Sequence, residues 1–254
     1  MRSALGAWLM PLSKPQRPQA LVYLAGLLWI IRFRSLRETA ARFAARLDRL
    51  QHFLSCSASC ARTLQHQQQR HLARLAPDHS APLLVLDDTP CARQGRRIEG
   101  LGLHHSAKGL IRGWCVVTAM LKVGPQRFLW AVRGDQPKKG CPRGQFHSKI
   151  DWAVDIVREA TAHFGRGRLT VWMDRWYACS RLLGSIQQAG WIYVAAVRAN
   201  RLVRVSGCAG KISVRSLAKS RCGWRTVRAG KKRRYRVRRV RAWLPQVGEV
   251  LVFV

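Results

Sequence analysis

The chain has 254 residues, 46 of them Lys or Arg against 12 Asp or Glu, giving a formal net charge of +34 and a pI of about 11.7. Hydrophobic residues make up 48%, which excludes a chain disordered throughout, and the length allows a sizeable core with two or three subdomains. A field this positive concentrates polyanions, nucleic acid first.

Met1–Gln19 carries Pro11, Pro15 and Pro18 among mixed charges and reads as a loose leader. Ala20–Ile31 is apolar but, at 12 residues, is shorter than the ~18–20 a membrane helix needs, and Arg32 and Arg34 follow it. It is expected to be a buried helix rather than an anchor. Ser35-Leu-Arg-Glu38 has the form of a capping box. Leu36, Ala40, Phe43, Leu47, Leu50 and Leu54 then step by fours and threes, which predicts one continuous amphipathic helix. Thr63–Leu75 is a further helical stretch. Residues 1–76 are expected to form a helical region, whose arginines either meet DNA phosphates or simply face solvent.

Ala76–Pro82 holds two prolines and polar turn formers and marks a boundary. Leu83-Leu-Val-Leu-Asp-Asp-Thr89 follows: four large apolar residues running into two carboxylates. Such a run predicts a strand buried on both faces, with acids at its C-terminal end, where open α/β sheets place their chemistry. Cys91–Lys108 reads as a basic loop containing Arg93, Arg96, Arg97, His104 and His105, the histidines taken as ordinary polar loop residues. Trp114–Lys122 and Phe128–Arg133 predict a hairpin turning at Val123–Gln126. Gly134–Gly144 is a second basic loop, with Lys138, Lys139 and Arg143. Ser148 caps a helix ended by Gly165. Leu169–Asp174 is a second acidic strand, followed by a helix and by a strand over Trp191–Val197. This order argues for a mixed α/β sheet over residues 77–200.

Beyond Asn200 the runs are short, β-type and strongly basic, predicting an all-β part over residues 201–254. Alternation in Arg234-Tyr-Arg-Val-Arg places Arg234, Arg236 and Arg238 on one strand face, next to Lys231, Lys232 and Arg233. That row suits a phosphate backbone; a charged edge strand kept soluble would look the same. The eight cysteines include no CxxC pair, so free thiols in a reducing cytosol are expected rather than structural zinc. Most of the ten tryptophans fall on strand or helix positions and are assigned to the core.

Two strand-end aspartates can share hard divalent ions such as Mg²⁺, which in phosphoryl transfer activate the attacking oxygen and stabilise the leaving one. On spacing alone, the same residues serve equally well as caps of the turns that follow them.

Leu86-Asp-Asp-Thr89, Arg93-Gln-Gly-Arg-Arg-Ile-Glu99, His105-Ser-Ala-Lys108, Gly113-Trp114, Trp172-Met-Asp-Arg-Trp-Tyr177 and Tyr193–Asn200, in that order, resemble the DDE transposases of bacterial insertion sequences. The resemblance covers Leu83–Asn200. It implies a ribonuclease-H-like α/β core with an N-terminal helical region and a C-terminal all-β insertion. It also implies metal-dependent cleavage at element ends, strand transfer of a 3′-OH, and a cytoplasmic, nucleoid-associated protein. Double-stranded DNA is the implied partner, both element ends and target, with a homodimer in the synaptic complex. The first catalytic Asp falls on Asp87 or Asp88, with Asp87 favoured because relatives show Asp, a variable residue, then Ser or Thr. The second falls on Asp174. Asp87 and Asp174 would hold Mg²⁺ or Mn²⁺, two ions in a complete site. Arg96, Arg97, Lys138, Lys139, Lys231, Lys232, Arg233, Arg234, Arg236 and Arg238 would contact DNA.

The pattern departs from the family in two places. Relatives often carry Lys where Ala92-Arg93 stands. The family's third carboxylate, a Glu on a later helix, has no counterpart: only Glu249 follows Asp174, at the start of an apolar strand-like run. The expectation is therefore a truncated transposase, inactive by itself, or a non-catalytic nucleic-acid-binding protein derived from one.

Overall fold

The structure, a computed structural model, describes residues 9–29, 35–56, 58–76, 82–93, 100–106, 109–142, 144–219, 223–229 and 233–254. The chain divides into two units, Met1–Ala76 and Pro77–Val254. No helix among the described residues is long and apolar enough to cross a membrane.

The first unit consists of helices α1 (Gln16–Trp29), α2 (Leu36–Arg42), α3 (Leu47–Cys56) and α4 (Ala58–Leu75). The loose leader is corrected where it is described: Leu9 and Leu12 are buried, with Ala20 and Phe53, in this unit's core. Arg17 fixes the turn before α1 by donating to the Leu12 and Met10 carbonyls. The single helix expected from Leu36 to Leu54 is also corrected, because the chain breaks after Arg42. Ala45 N–H reaches back to Ala40 O at 2.9 Å, and Ala44 sits at φ 48°. This is a Schellman termination with alanine in the left-handed position. Glycine is the usual signal there, so the break left no mark in the sequence. Gly26 lets α1 approach α2 closely, since a Cβ there would lie 2.5 Å from Thr39 Cγ2.

The second unit carries two sheets among its described residues. The first is built from β1 (Leu83–Ala92), β2 (Gly102–Ser106), β3 (Gly109–Val123), β4 (Gln126–Asp135), β5 (Thr170–Met173) and β6 (Ile192–Ala195). β1 pairs antiparallel with β3, and β3 with β4; β5 runs parallel to β1, and β6 parallel to β5. Helices α5 (Lys149–Phe164) and α6 (Ser180–Gln188) make the two crossovers. α5 opens on a complete capping box between Ser148 and Asp151 and stops at Gly165, φ 72°. The mixed α/β class expected from the alternation of elements is the class observed.

One expectation in this sheet fails. Cys91–Lys108 is not a loop throughout: β1 continues to Ala92, and β2 pairs with the first part of β3. Gly113 permits this crowding, because a Cβ there would lie 2.1 Å from the Cys91 carbonyl oxygen.

The helices cover one face of the sheet. Leu84, Leu86, Cys115, Val117, Ala119, Leu121, Val171 and Met173 are buried there, together with Val154, Ile156 and Val157 of α5 and Leu182, Leu183 and Ile186 of α6. The alternate residues face the other way and are open. Trp172 is 49% exposed, Ile192 69% and Val194 53%, and Met120, Leu129 and Val132 share that face. The sheet is therefore buried on one face, not on the two its apolar runs predict.

The second sheet follows, from β7 (Leu202–Arg204), β8 (Lys211–Ser213), β9 (Trp224–Ala229), β10 (Arg233–Leu244) and β11 (Gly248–Phe253), in the order β11-β10-β7-β8 with β9 beside β10. A five-residue helix, α7 (Val214–Ala218), lies between β8 and β9, capped by Ser213. Arg215 N–H donates to Ala199 O and Val214 N–H to Arg201 O, tying α7 to the segment between β6 and β7.

Candidate active site

The last paired rung between β1 and β5 is Leu86 with Met173. Asp87 is the next residue of β1, which runs on to Ala92, and Asp174 is the first residue beyond β5. Parallel neighbours lie about 4.8 Å apart, and alternation puts both side chains on the open face. Both are exposed and line one cleft of about 1410 Å³ with His104, Lys149, Arg175, Trp176, Arg198 and Arg215. Asp87 Oδ1 accepts from the Asp88 N–H at 2.8 Å. Asp174 Oδ1 accepts from the N–H groups of Trp176 and Tyr177 at 2.8 and 3.3 Å. Each carboxylate thus has one oxygen fixed by backbone, and among the described residues its Oδ2 takes no hydrogen bond. The capping role and the ligand role are compatible: the first orients the second.

Asp88 faces the opposite way. Its Oδ2 accepts from Lys149 Nζ at 2.6 Å and from Cys115 Sγ at 3.2 Å. Burial works against the Lys149 charge, but its bonds to Asp88 and Cys115 outweigh this and its pKa is raised. Burial pushes the Cys115 thiol up to about 11 and raises the Asp135 carboxyl. Tyr177 is fully buried, and among the described residues its hydroxyl has no hydrogen-bond partner. Burial, then the charges of Asp88, Cys115, Asp87 and Asp174, hold that phenol far above its ordinary range.

Arg175, Trp176, Arg198 and Arg215 make the cleft basic and aromatic, and further basic and aromatic residues lie elsewhere on the unit. The Arg198 guanidinium lies 5.9 Å from the Trp176 ring centroid, and Arg93 lies 5.7 Å from that of Trp114. Lys138 and Lys139 are exposed on a short 3₁₀ turn. Arg233, Arg234 and Arg236 are exposed on β10, and Arg236 stacks on Trp224 at 5.3 Å. Arg238 is half-buried and donates to the Leu217 carbonyl at 2.9 Å. Arg96, Arg97, Lys231 and Lys232 lie outside the described residues.

Among the described residues, Asp87, Asp88 and Asp174 are the acids that line the cleft. Glu159 pairs with Arg133 on the helix-covered side. Glu249 is on β11 opposite Trp243, 3.8 Å from Arg241, and lines a separate groove. It is no candidate for the third carboxylate.

Sequence reasoning missed Lys149, Arg198 and Arg215. Lys149 had a signal, being the first residue after a helix cap and so close to a strand end; the two arginines had none beyond the general excess of charge.

The model of the DDE superfamily endonucleases matches residues 9–210. The chain belongs to that family. The match spans the whole strand-end aspartate pair and most of the helical unit. Among solved structures, this DDE endonuclease is similar to a piggyBac transposase, determined by cryo-EM in a synaptic complex with hairpin DNA. The TM-score is 0.45 at 13% identity, over 95% of this chain and 52% of that one. The chain therefore spans about half of that protein's length. No curated protein matches it.

Proposed function

We propose that this DDE endonuclease is of the transposase type, built to cleave DNA strands at the ends of an insertion sequence and join the freed 3′-OH to target DNA. The observation that carries this is the pair Asp87 and Asp174, side by side where the pairing of β1 with β5 ends, facing one basic cleft. The antiparallel β1-β3-β4 order followed by parallel β5 and β6 supports a ribonuclease-H-like core.

Asp87 and Asp174 fit Mg²⁺ or Mn²⁺: both offer hard oxygens, each with one oxygen free among the described residues. A bound ion would polarise the scissile phosphate and lower the pKa of an attacking water. Arg175, Arg198 and Arg215 place the phosphate backbone by charge, and preorganised charge costs no rearrangement at the moment of reaction. The exposed arginines of β9 and β10 extend the cationic track beyond the cleft. Asp88, already paired with Lys149, is assigned no direct part, which favours Asp87 as the ligand. A homodimer on two DNA ends, and residence with the nucleoid, belong to the same proposal.

The cleft offers two aspartates as ligands, and its remaining carboxylate among the described residues, Asp88, is held by Lys149, so we propose that this chain alone binds DNA but cleaves it poorly. The alternative, a non-catalytic nucleic-acid-binding protein, is favoured by the same gap. Labelled duplexes and plasmid DNA with Mn²⁺, tested beside Asp174→Ala, separate the two. Cleavage that vanishes in the variant establishes the enzyme and overturns the incomplete site. Binding with a steep salt dependence, unchanged when Asp87, Asp88 and Asp174 all become Ala, establishes the alternative.

A further inference from the structure

At the inner wall of the same cleft, on the side of β1 that carries Asp88, a second set of donors converges. His104 on β2, Cys115 on β3 and Asp135 on β4 each offer one ligand atom, all within 4.8 Å of one another. Cys115 and Asp135 are directly opposed across β3 and β4. Asp88 joins them through its 3.2 Å contact with Cys115 Sγ. An imidazole, a thiol and a carboxylate at that spacing are a donor set for zinc or cobalt.

The set also contains a cation of its own. Lys149 Nζ lies 2.6 Å from Asp88 Oδ2, the same oxygen that accepts from Cys115 Sγ. Lys149 is the first residue of α5, and the helix start is fixed by the Ser148–Asp151 box and by the ion pair of Asp151 with Arg181 on α6. The ammonium is therefore delivered by a rigid element and not by a wandering surface chain.

We infer that Lys149 is the resident cation of this cluster, and that it closes the His104–Cys115–Asp135 site to divalent metal. An ion entering there would meet the ammonium at close range in a half-buried setting, where like charges repel strongly. It would also have to take Cys115 from its bond to Asp88. Metal is thereby confined to the open face, at Asp87 and Asp174. The two faces of β1 divide the labour: one holds a fixed charge, the other an exchangeable one. This inference stands on the cluster's geometry and does not require the transposase proposal.

The test is a Co²⁺ titration of the full chain, read by the thiolate-to-cobalt charge-transfer band. Wild type is expected to show none. Lys149→Met should gain the band, with affinity up by about tenfold or more. The band should disappear on adding Cys115→Ser and persist on adding Asp87→Asn. Lys149→Arg, which keeps the charge, should show none. A wild-type band abolished by Cys115→Ser would overturn the inference. So would a Lys149→Met protein that melts cooperatively yet shows no band. If Lys149→Met fails to fold, Lys149→Gln and the wild-type titration carry the same decision. DNA cleavage plays no part in the readout, so failure of the proposed function leaves this result intact.

Discussion

The two faces of the central sheet differ more than any two domains of the molecule. On one face Leu84, Leu86, Val171 and Met173 pack under α5 and α6; on the other Trp172, Ile192 and Val194 stand exposed. Asp88 belongs to the first face and Asp87 to the second. Neighbours in sequence are thus placed in two chemistries by the period-two alternation of a strand. The covered face supplies stability and fixes groups; the open face leaves groups free to bind.

The largest way to break this contrast is truncation. Leu86→Ala should cost about 2–5 kcal/mol in urea unfolding, as deletions from a closed core do. Val194→Ala on the open face should cost under about 1 kcal/mol. Equal losses would mean that the open face is covered in solution. A smaller effect tests how α5 is held over the sheet. Burial raises the Asp151 pKa, but the Ser148 hydroxyl and N–H bonds and nearby Arg181 lower it further, and the net shift is downward. Its stabilisation is present above the ordinary carboxylate pKa near 3.9 and is lost as pH falls through the lower folded value. Asp151→Ala should cost about 0.5–2 kcal/mol near neutrality and flatten the acid limb of thermal melts.

The finest test is alkaline. Buried Cys115 keeps its proton in the fold up to about 11, whereas the unfolded thiol loses it near ~8.5. The folded chain binds the extra proton, so stability should fall as pH rises through that window. Cys115→Ala should remove that slope, and a surface cysteine such as Cys208 should not.

Much of this was legible in the sequence. The apolar runs before Asp87 and Asp174, the Ser148 cap, and the stop at Gly165 each mark local structure through local chemistry. What stayed hidden was decided at a distance. Ala44 ends a helix without glycine, so the stripe from Leu36 to Leu54 continued on paper where the chain does not. Val194 and Ile192 look like core residues, because a run of apolar side chains says nothing about which face finds a cover. Lys149 lies 61 residues from Asp88, and no spacing rule links them. Strand alternation did separate Asp87 from Asp88, since that relation is local.

The ribbon of β9 and β10 has a consequence for how this protein is handled. Arg225, Arg228, Arg233, Arg234 and Arg236 are all exposed on two strands with no acid among them. Each is a cleavage point for trypsin, and the extended backbone beside it suits a protease groove. A bound polyanion would screen the ribbon. The tryptic pattern of freshly isolated protein, before and after nuclease treatment, therefore records what the cell had placed on it.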